Sequence, residues 1–153
     1  MRLTQFSDYS LRVLMFLATA PQDQLSSIQQ IADAYRISKN HLMKVTHQLG
    51  KWGYVETIRG RNGGLRLAKD PMDIVIGEVV RHTEEDFHVV ECFDTGGCVL
   101  TDICRLRGVL GQALQAFFEV LDQYTLADLT KNRSYLQTLL MNMNNIDEKV
   151  ADK

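Results

Sequence analysis

The chain has 153 residues, of which 45% are hydrophobic and 24% charged, and its formal net charge is −2. This size and composition are typical of one ordinary globular domain or two small ones, and they exclude a disordered or collagen-like chain. No apolar stretch reaches the length of about 18 residues that a membrane span needs, which predicts a soluble, cytoplasmic protein with no membrane partner.

The first predicted element is a helix over residues 4–20. Thr4 is placed to cap it and Pro21 to end it. The start of the chain imitates a secretory signal, because Arg2 precedes an apolar run. Asp8 and Arg12 interrupt that run, however, and its apolar residues recur at helical spacing. We therefore expect a helix of the folded domain here.

Two short helices with helix-turn-helix spacing follow. The first begins at the capping boxes of Ser26 and Ser27 and ends near Tyr35, and the second begins at Ser38. The apolar residues of the second helix are Leu42, Val45, Leu49 and Trp52. Its outward residues are of the kinds that contact phosphates and base edges. The predicted DNA-binding residues of this helix are Ser38, Lys39, Asn40, His41 and Lys44.

A β-hairpin is predicted after this helix, with strands over residues 54–58 and 65–68. Its turn is rich in arginine and glycine, and a slim cationic loop can enter the narrow minor groove of DNA. The predicted DNA-binding residues of the turn are Arg59, Arg61, Asn62 and Gly63. Residues 1–70 therefore read as a winged helix-turn-helix domain, mainly α with a small β-hairpin wing.

The charge of the chain is divided unequally. Residues 1–70 hold 10 basic and 5 acidic side chains, whereas residues 71–153 hold 7 basic and 14 acidic ones. Residues 36–69 alone carry eight basic side chains and one acid, Glu56. Such a segment suits a polyanion such as DNA, and the alternative is a solvated basic face without a partner.

Two motifs in this domain have alternative interpretations. His41 and His47 could be metal ligands, but a spacing of six does not place them on one helix face, so DNA contact or solvation explains them better. Gly63 and Gly64 lack the Lys-Ser/Thr ending of a phosphate-binding loop, and a tight hairpin turn is the better interpretation.

The second half begins with a predicted short helix over residues 72–82, followed by an acidic stretch without period. A long helix is predicted over residues 102–124, with a short helix over residues 125–129 and a C-terminal tail over 132–153. The main apolar series of the long helix is Ile103, Leu106, Leu110, Ala113, Phe117, Leu121 and Tyr124. Further apolar residues broaden this surface, so the helix needs two neighbours, and both its own domain and a second subunit are candidates.

All three cysteines lie in one segment, as Cys92, Cys98 and Cys104 with C-x5-C-x5-C spacing. Three cysteines cannot all pair with one another, and nothing else in the sequence indicates an oxidising compartment, so a disulfide framework is disfavoured. Structural zinc uses closer cysteine pairs, whereas the corners of an iron–sulphur cluster suit wider gaps. The spacing favours a cluster, with zinc or free thiols as alternatives.

Seven segments together resemble the iron–sulphur winged-helix transcriptional repressors. They are TQFSDYSLR (4–12), IA (31–32), ISKNHLMK (37–44), GYV (53–55), RGRNGG (59–64), IGEVV (76–80) and YTLADL (124–129). Within these segments, residues 38–41 (SKNH) and 124–129 (YTLADL) favour the nitric-oxide-sensing branch of this family. In a sister branch a downstream histidine joins the three cysteines, and no histidine follows Cys104 in this sequence.

The resemblance implies a homodimer joined through the long helix, bound to a palindromic operator in double-stranded DNA. Residues 71–131 are then the region that holds the cluster-binding loop and the dimerisation helix. It implies that Cys92, Cys98 and Cys104 of one chain hold an iron–sulphur cluster, [4Fe–4S] by preference and [2Fe–2S] otherwise, and that the partner's Asp8 completes the ligand set. Nitric oxide is then the signal that releases the operator. From the residues alone, Asp8 reads only as an exposed helix charge.

The sequence shows no Ser/His/Asp set, paired carboxylate cleft or nucleotide loop, so an enzyme is not expected. Two other functions stay open at this point. One is a related iron–sulphur regulator that senses cluster supply or redox state, and the other is a winged-helix interaction module that carries zinc or free thiols.

Overall fold

The computed structural model describes residues 2–21, 24–94, 98–100 and 103–148. In chain order the elements are α1 (Gln5–Thr19), α2 (Ile28–Tyr35), α3 (Lys39–Lys51), β1 (Val55–Ile58), β2 (Gly64–Leu67), α4 (Ile76–Thr83), α5 (Arg105–Leu121), α6 (Leu126–Leu129) and α7 (Arg133–Glu148). Single 3-10 turns occur at Pro71–Asp73 and Glu91–Phe93. The predicted fold class, mainly α with one hairpin wing, is confirmed.

The helix starts follow from capping side chains. The Thr4 hydroxyl accepts a hydrogen bond from the backbone of Ser7, and Ser27 and Gln30 form a reciprocal capping box at the start of α2. Arg36 ends α2 in the left-handed conformation, with φ 54°, and so makes the turn into α3. Ser38 is the N-cap residue of α3, as predicted, although its side chain makes no capping hydrogen bond.

Helix α1 lies at the centre of the fold, because it contacts α2, α3, α4, α6 and α7. The core around it is built from apolar residues at helical spacing. Its largest fully buried members are Leu14, Ile31, Leu42, Leu49, Tyr54, Ile74 and Leu126. This core joins the three helices of the predicted DNA-binding domain to α4 and α6, so the two predicted regions share one apolar interior.

Strands β1 and β2 pair antiparallel, with Val55 opposite Leu67 and Ile58 opposite Gly64. The residue at the middle of β2, Leu65, is buried and also exchanges backbone hydrogen bonds with Ser26. This additional backbone pairing ties the base of the wing to the residues just before α2.

Helix α4 starts later than the sequence predicts. The predicted span 72–82 is divided into the 3-10 turn and α4, with extended backbone between them. The reason is tertiary: the amide of Ile76 donates to the carbonyl of Tyr124, and the amide of Leu126 donates to the carbonyl of Ile74. These bonds hold both segments extended, and they also end α5 at Leu121, short of the predicted Tyr124.

Helix α5 is attached to α4 by an ion pair and aromatic contacts. The guanidinium of Arg81 donates to both carboxylate oxygens of Asp122, at 2.6 and 2.7 Å, and lies 4.2 Å from the ring centroid of Phe118. Phe87 packs edge-on against Phe118, with the ring centroids 4.6 Å apart. The loop that follows α4 is thereby held against α5.

Residues 132–153, which the sequence assigns to a tail, contain α7. Its half-buried residues, Arg133, Leu136, Gln137 and Leu140, recur at helical spacing, and α7 packs on α1 and α2. The Arg133 guanidinium donates to the carbonyls of Thr19 and Ala20, where α1 ends. Residues 95–97 of the cysteine segment, residues 101–102 at the predicted start of the long helix and residues 149–153 lie outside the described ranges.

We expect the stability of the fold to fall at acid pH partly through Asp128. Its carboxylate accepts hydrogen bonds from the backbone and hydroxyl of Thr125 and pairs with Lys131, which lowers its pKa from 3.8 to about 2. Because the folded-state pKa is depressed, the ionised Asp128 carboxylate adds to the free energy of unfolding. This contribution is complete above about pH 4 and is lost as the pH falls through about 2. Chemical unfolding of the wild type and of Asp128→Asn between pH 2 and 5 should show a shallower pH slope for the variant. Parallel slopes would contradict the assignment.

Candidate nucleic-acid interface and cysteine loop

The predicted reading helix presents its polar side chains to the surface. Leu42, Val45 and Leu49 are buried against the core, which turns the opposite side of α3 outward. The five predicted DNA-binding residues of this segment are all exposed: Ser38, Lys39, Asn40, His41 and Lys44. They lie at the N-cap and in the first half of α3, the part that contacts base edges when a recognition helix enters a major groove.

Aromatic contacts hold the two ends of α3. The His41 ring lies 6.2 Å from the ring of Tyr9 on α1, and Trp52, just after α3, stacks on His82 with the ring centroids 5.6 Å apart. The His82 ring in turn hydrogen-bonds the Tyr54 hydroxyl at 2.8 Å. Helix α3, the predicted recognition helix, therefore packs against α1 near its start and against α4 at its end.

The tip of the wing exposes the basic residues that the sequence singles out. Arg59, Arg61 and Asn62 are exposed. Gly60 has φ 117°, a conformation that other residues rarely adopt, and a Cβ at Gly63 would lie 2.2 Å from the carbonyl oxygen of Ile58. Gly63, predicted as a DNA contact, thus has a structural role as well, since it permits the tight turn that presents the two arginines.

We expect Gly63→Ala to distort this tip, because the Ile58 carbonyl is backbone within the hairpin and cannot move aside cheaply. Overpacking of this kind costs about 1–3 kcal/mol. Affinity for operator DNA should therefore fall about tenfold, with a modest fall in thermal stability, measured by fluorescence anisotropy and calorimetry. The control is Gly50→Ala in α3, where a Cβ meets its nearest atom at an ordinary 3.6 Å. Unchanged DNA binding by Gly63→Ala would show that the tip does not contact DNA.

The three cysteines bracket the connection into α5. Cys92 is half-buried in the 3-10 turn, Cys98 is exposed, and Cys104 is the half-buried N-cap residue of α5. Two arginines, Arg105 and Arg107, follow Cys104 in the first turn of α5.

An open groove of about 660 Å³ lies beside Cys104. It is lined by Phe87, His88, Phe93, Cys104, Arg107, Gly108, Gly111 and Leu114. A Cβ added at Gly108 or Gly111 would meet no atom within 4 Å, so both glycines leave open space next to the thiol. Soft thiolate donors and this space fit an iron–sulphur cluster.

The structure does not gather all the predicted ligands. In the ranges that it describes, no three His, Cys, Asp or Glu side chains are close enough to hold a metal ion together. Asp8 lies on α1, where both of its carboxylate oxygens accept from Nε of Arg12 at 3.0 Å, and this hydrogen bond raises the pKa of Arg12. The Arg12 guanidinium also lies 5.6 Å from the ring centroid of Tyr35.

Sequence reasoning missed the role of Glu84, which it assigned only to an acidic stretch. Oε1 of Glu84 accepts from the backbone amide of Thr4 at 2.8 Å, from the Thr4 hydroxyl at 3.1 Å, and from the Ser7 hydroxyl. These partners are about 80 positions away in the chain, so no local pattern could have indicated the contact.

Helix α5 has two apolar faces. Leu110, Leu114, Phe117, Phe118 and Leu121 are half-buried on its own domain. The other face, here called the outer seam, consists of Leu106, Val109, Ala113, Ala116 and Val120, all exposed and spaced alternately by three and four residues. Leu106, Val109 and Val120 are 63%, 60% and 54% exposed. Alternating spacing of three and four is the pattern of a helix that packs against another helix.

The fold and these surfaces agree with comparisons to known families. The profile of Rrf2, described as iron-dependent transcriptional regulator, matches residues 3–132, and the chain belongs to this family. Among characterised relatives, the HTH-type transcriptional regulators NsrR of Bacillus licheniformis and of Bacillus subtilis are each 59% identical over 142 residues. Those residues are 92% of this chain and 99% and 97% of the two relatives.

Two solved structures share the fold. CymR, the global cysteine regulator of B. subtilis, superposes with a TM-score of 0.72 at 26% identity over 86% of this chain and 98% of its own. IscR of T. potens superposes with a TM-score of 0.71 at 27% identity over 86% and 88%. The protein is therefore a DNA-binding transcriptional regulator and, as predicted, not an enzyme. None of the described helices combines the length and apolar character needed to cross a bilayer.

Proposed function

We propose that this protein is a homodimeric repressor that holds a palindromic operator while its iron–sulphur cluster is intact, and releases it on reaction with nitric oxide. The observation that carries the proposal is the position of Cys104. This ligand is the N-cap residue of α5, and the same helix presents the outer seam. The cluster site and the subunit contact are thus parts of one helix. The similarity to relatives named NsrR supports the nitric oxide signal.

The outer seam supports the dimer. Three aliphatic side chains more than half exposed to water are costly on one helix, and pairing with a second copy removes that exposure. Ala113 and Ala116 lie near the middle of the seam, where small side chains let two helices approach closely. An antiparallel or crossed pair of α5 helices would then carry one reading domain at each end.

The exposed polar and basic residues of α3 and the wing tip support a specific arrangement of the dimer on DNA. Each α3 would enter a major groove through the residues from Ser38 to Lys44, and the arginines of the wing tip would reach the adjacent minor groove. Two such domains related by a two-fold axis require half-sites separated by about 10 bp or a multiple of it.

The residues that would hold the cluster are Cys92, Cys98 and Cys104, with the partner's Asp8 as the oxygen ligand. A cluster held there supplies iron with which nitric oxide reacts. In the structure, the Asp8 carboxylate is bound by Arg12 of its own chain. Arg12 therefore offers Asp8 an alternative partner, and loss of the ligand bond would leave Asp8 in this pair and free the reading domain from the other subunit. A change of about 1.4 kcal/mol shifts operator affinity tenfold.

The test is anaerobic reconstitution of the protein, followed by titration with nitric oxide while absorbance and operator binding are recorded together. We expect a brown protein that loses its cluster absorbance and the operator in parallel. Release by oxidant or by iron chelation alone, with no effect of nitric oxide, would favour a redox or cluster-supply sensor. A colourless protein that binds zinc and keeps the operator would overturn the proposal.

A further inference from the structure

The carboxylate of Glu84 links the first turn of α1 to the segment that leads to the cysteines. Glu84 is the C-cap residue of α4 and begins the segment that leads to the cysteines. Its three donors, the Thr4 amide and the hydroxyls of Thr4 and Ser7, belong to the first turn of α1. Ser7 directly precedes Asp8 in the chain.

This contact is partly buried on the side of Ser7. Ser7 is fully buried, and its hydroxyl also lies 2.8 Å from the hydroxyl of Thr83, which is 6% exposed. A carboxylate that accepts from a helix start is favourably placed in the field of the helix dipole. Hydrogen bonds to a charged acceptor are stronger than neutral ones, so this carboxylate is a direct polar link between α1 and the segment after α4.

We infer that Glu84 is a positioning residue that couples the cysteine loop of one chain to Asp8 of the same chain. This inference rests on the proposed function, in which that Asp8 serves the cluster of the other chain. Displacement of the loop when one cluster is lost would pull on Glu84 and shift the first turn of α1. Asp8 would then move relative to the second cluster. Loss of the first cluster of a dimer would therefore promote loss of the second, so the two clusters are not lost independently.

The first experiment uses the cluster-free protein and measures amide hydrogen exchange in a peptide covering residues 2–10. Glu84→Ala should raise exchange there about tenfold, because charge-assisted bonds to the helix start are removed. The matched control is Glu85→Ala, since Glu85 is exposed and makes no hydrogen bond or ion pair with any residue that the structure describes. Glu84→Gln keeps a neutral acceptor and should restore much of the protection. Equal exchange in Glu84→Ala and Glu85→Ala would overturn the positioning role.

The second experiment counts clusters per dimer by native mass spectrometry during a nitric oxide titration. Independent sites leave about half of the dimers with one cluster at the midpoint, and coupling of about fivefold or more lowers that fraction. We expect well under half for the wild type and Glu85→Ala, and about half for Glu84→Ala. The same distribution in all three proteins would refute the coupling. If the wild type takes up no cluster, the proposed function fails instead, and the exchange experiment still decides whether Glu84 positions α1.

Discussion

Replacing Val109 with glutamate is expected to separate the protein into monomers and to lower operator affinity about a thousandfold. Val109 is 60% exposed and lies between Leu106 and Ala113 on the outer seam. In a pair of α5 helices the new carboxylate would be buried without a partner, which costs several kcal/mol. A monomer contacts one half-site only, and its affinity should approach non-specific binding, about 10³ or more below specific binding.

Gln112→Glu is the matched control for this prediction. It introduces the same charge on the same helix, at an exposed polar position outside the seam. Sedimentation velocity and operator titration should therefore show a dimer with nearly unchanged affinity. A Val109→Glu protein that stays dimeric would mean that the subunits meet through another surface.

Cys98→Ala is expected to give a colourless protein after reconstitution and to lower operator affinity about a hundredfold or more, toward the non-specific level. The cysteine is exposed, so its truncation leaves no cavity in the core, and thermal stability of the cluster-free protein should change little. Loss of colour would then report on ligation and not on folding.

The neighbouring Val99 provides the control, because its side chain is 99% exposed. Val99→Ala should take up iron and sulphide like the wild type and bind the operator equally well. The decisive measurement is the iron content together with anisotropy on the operator, in the absence of oxygen. Cluster-free Cys98→Ala with wild-type affinity would show that DNA reading does not depend on the cysteines.

The DNA-binding domain could be predicted closely because its signals are local. The capping box at Ser27, the turn before Ser38 and the arginine-glycine turn each act over a few residues, and the structure places the elements there within one or two residues. What the sequence could not give is the reason why Gly63 is needed, since the carbonyl of Ile58 approaches it only once the hairpin is closed.

Helix α5 shows where periodicity stops being informative. The sequence grouped Leu106 and Ala113 with Leu110 and Phe117, but these pairs lie on different faces in the structure. A helix that is apolar over more than half of its circumference has no single stripe, and only the tertiary bonds to α4 decide which part faces inward. The C-terminal end of α5 escaped prediction for the same reason, because the pairing of residues 124–126 with residues 74–76 is non-local.

For the candidate regulatory site, the sequence proposed ligands but could not indicate the contacts around them. The cysteine spacing indicated a cluster, and the family resemblance added Asp8. Neither could show that Arg12 binds Asp8, or that Glu84 reaches Thr4 and Ser7. Contacts of this kind depend on how α1 and α4 are placed, and in the proposed function they would transmit the signal.

The packing of α7 on α1 and α2 has a consequence for how the protein is made. Arg133 and the half-buried side chains of α7 complete the surface of the two helices that begin the chain. When the ribosome has made only residues 1–70, α7 does not yet exist, and the surface of α1 and α2 that it will cover is still exposed. The cysteine segment and α5 are synthesised before α7, so α7 can cover α1 and α2 only after both have been made.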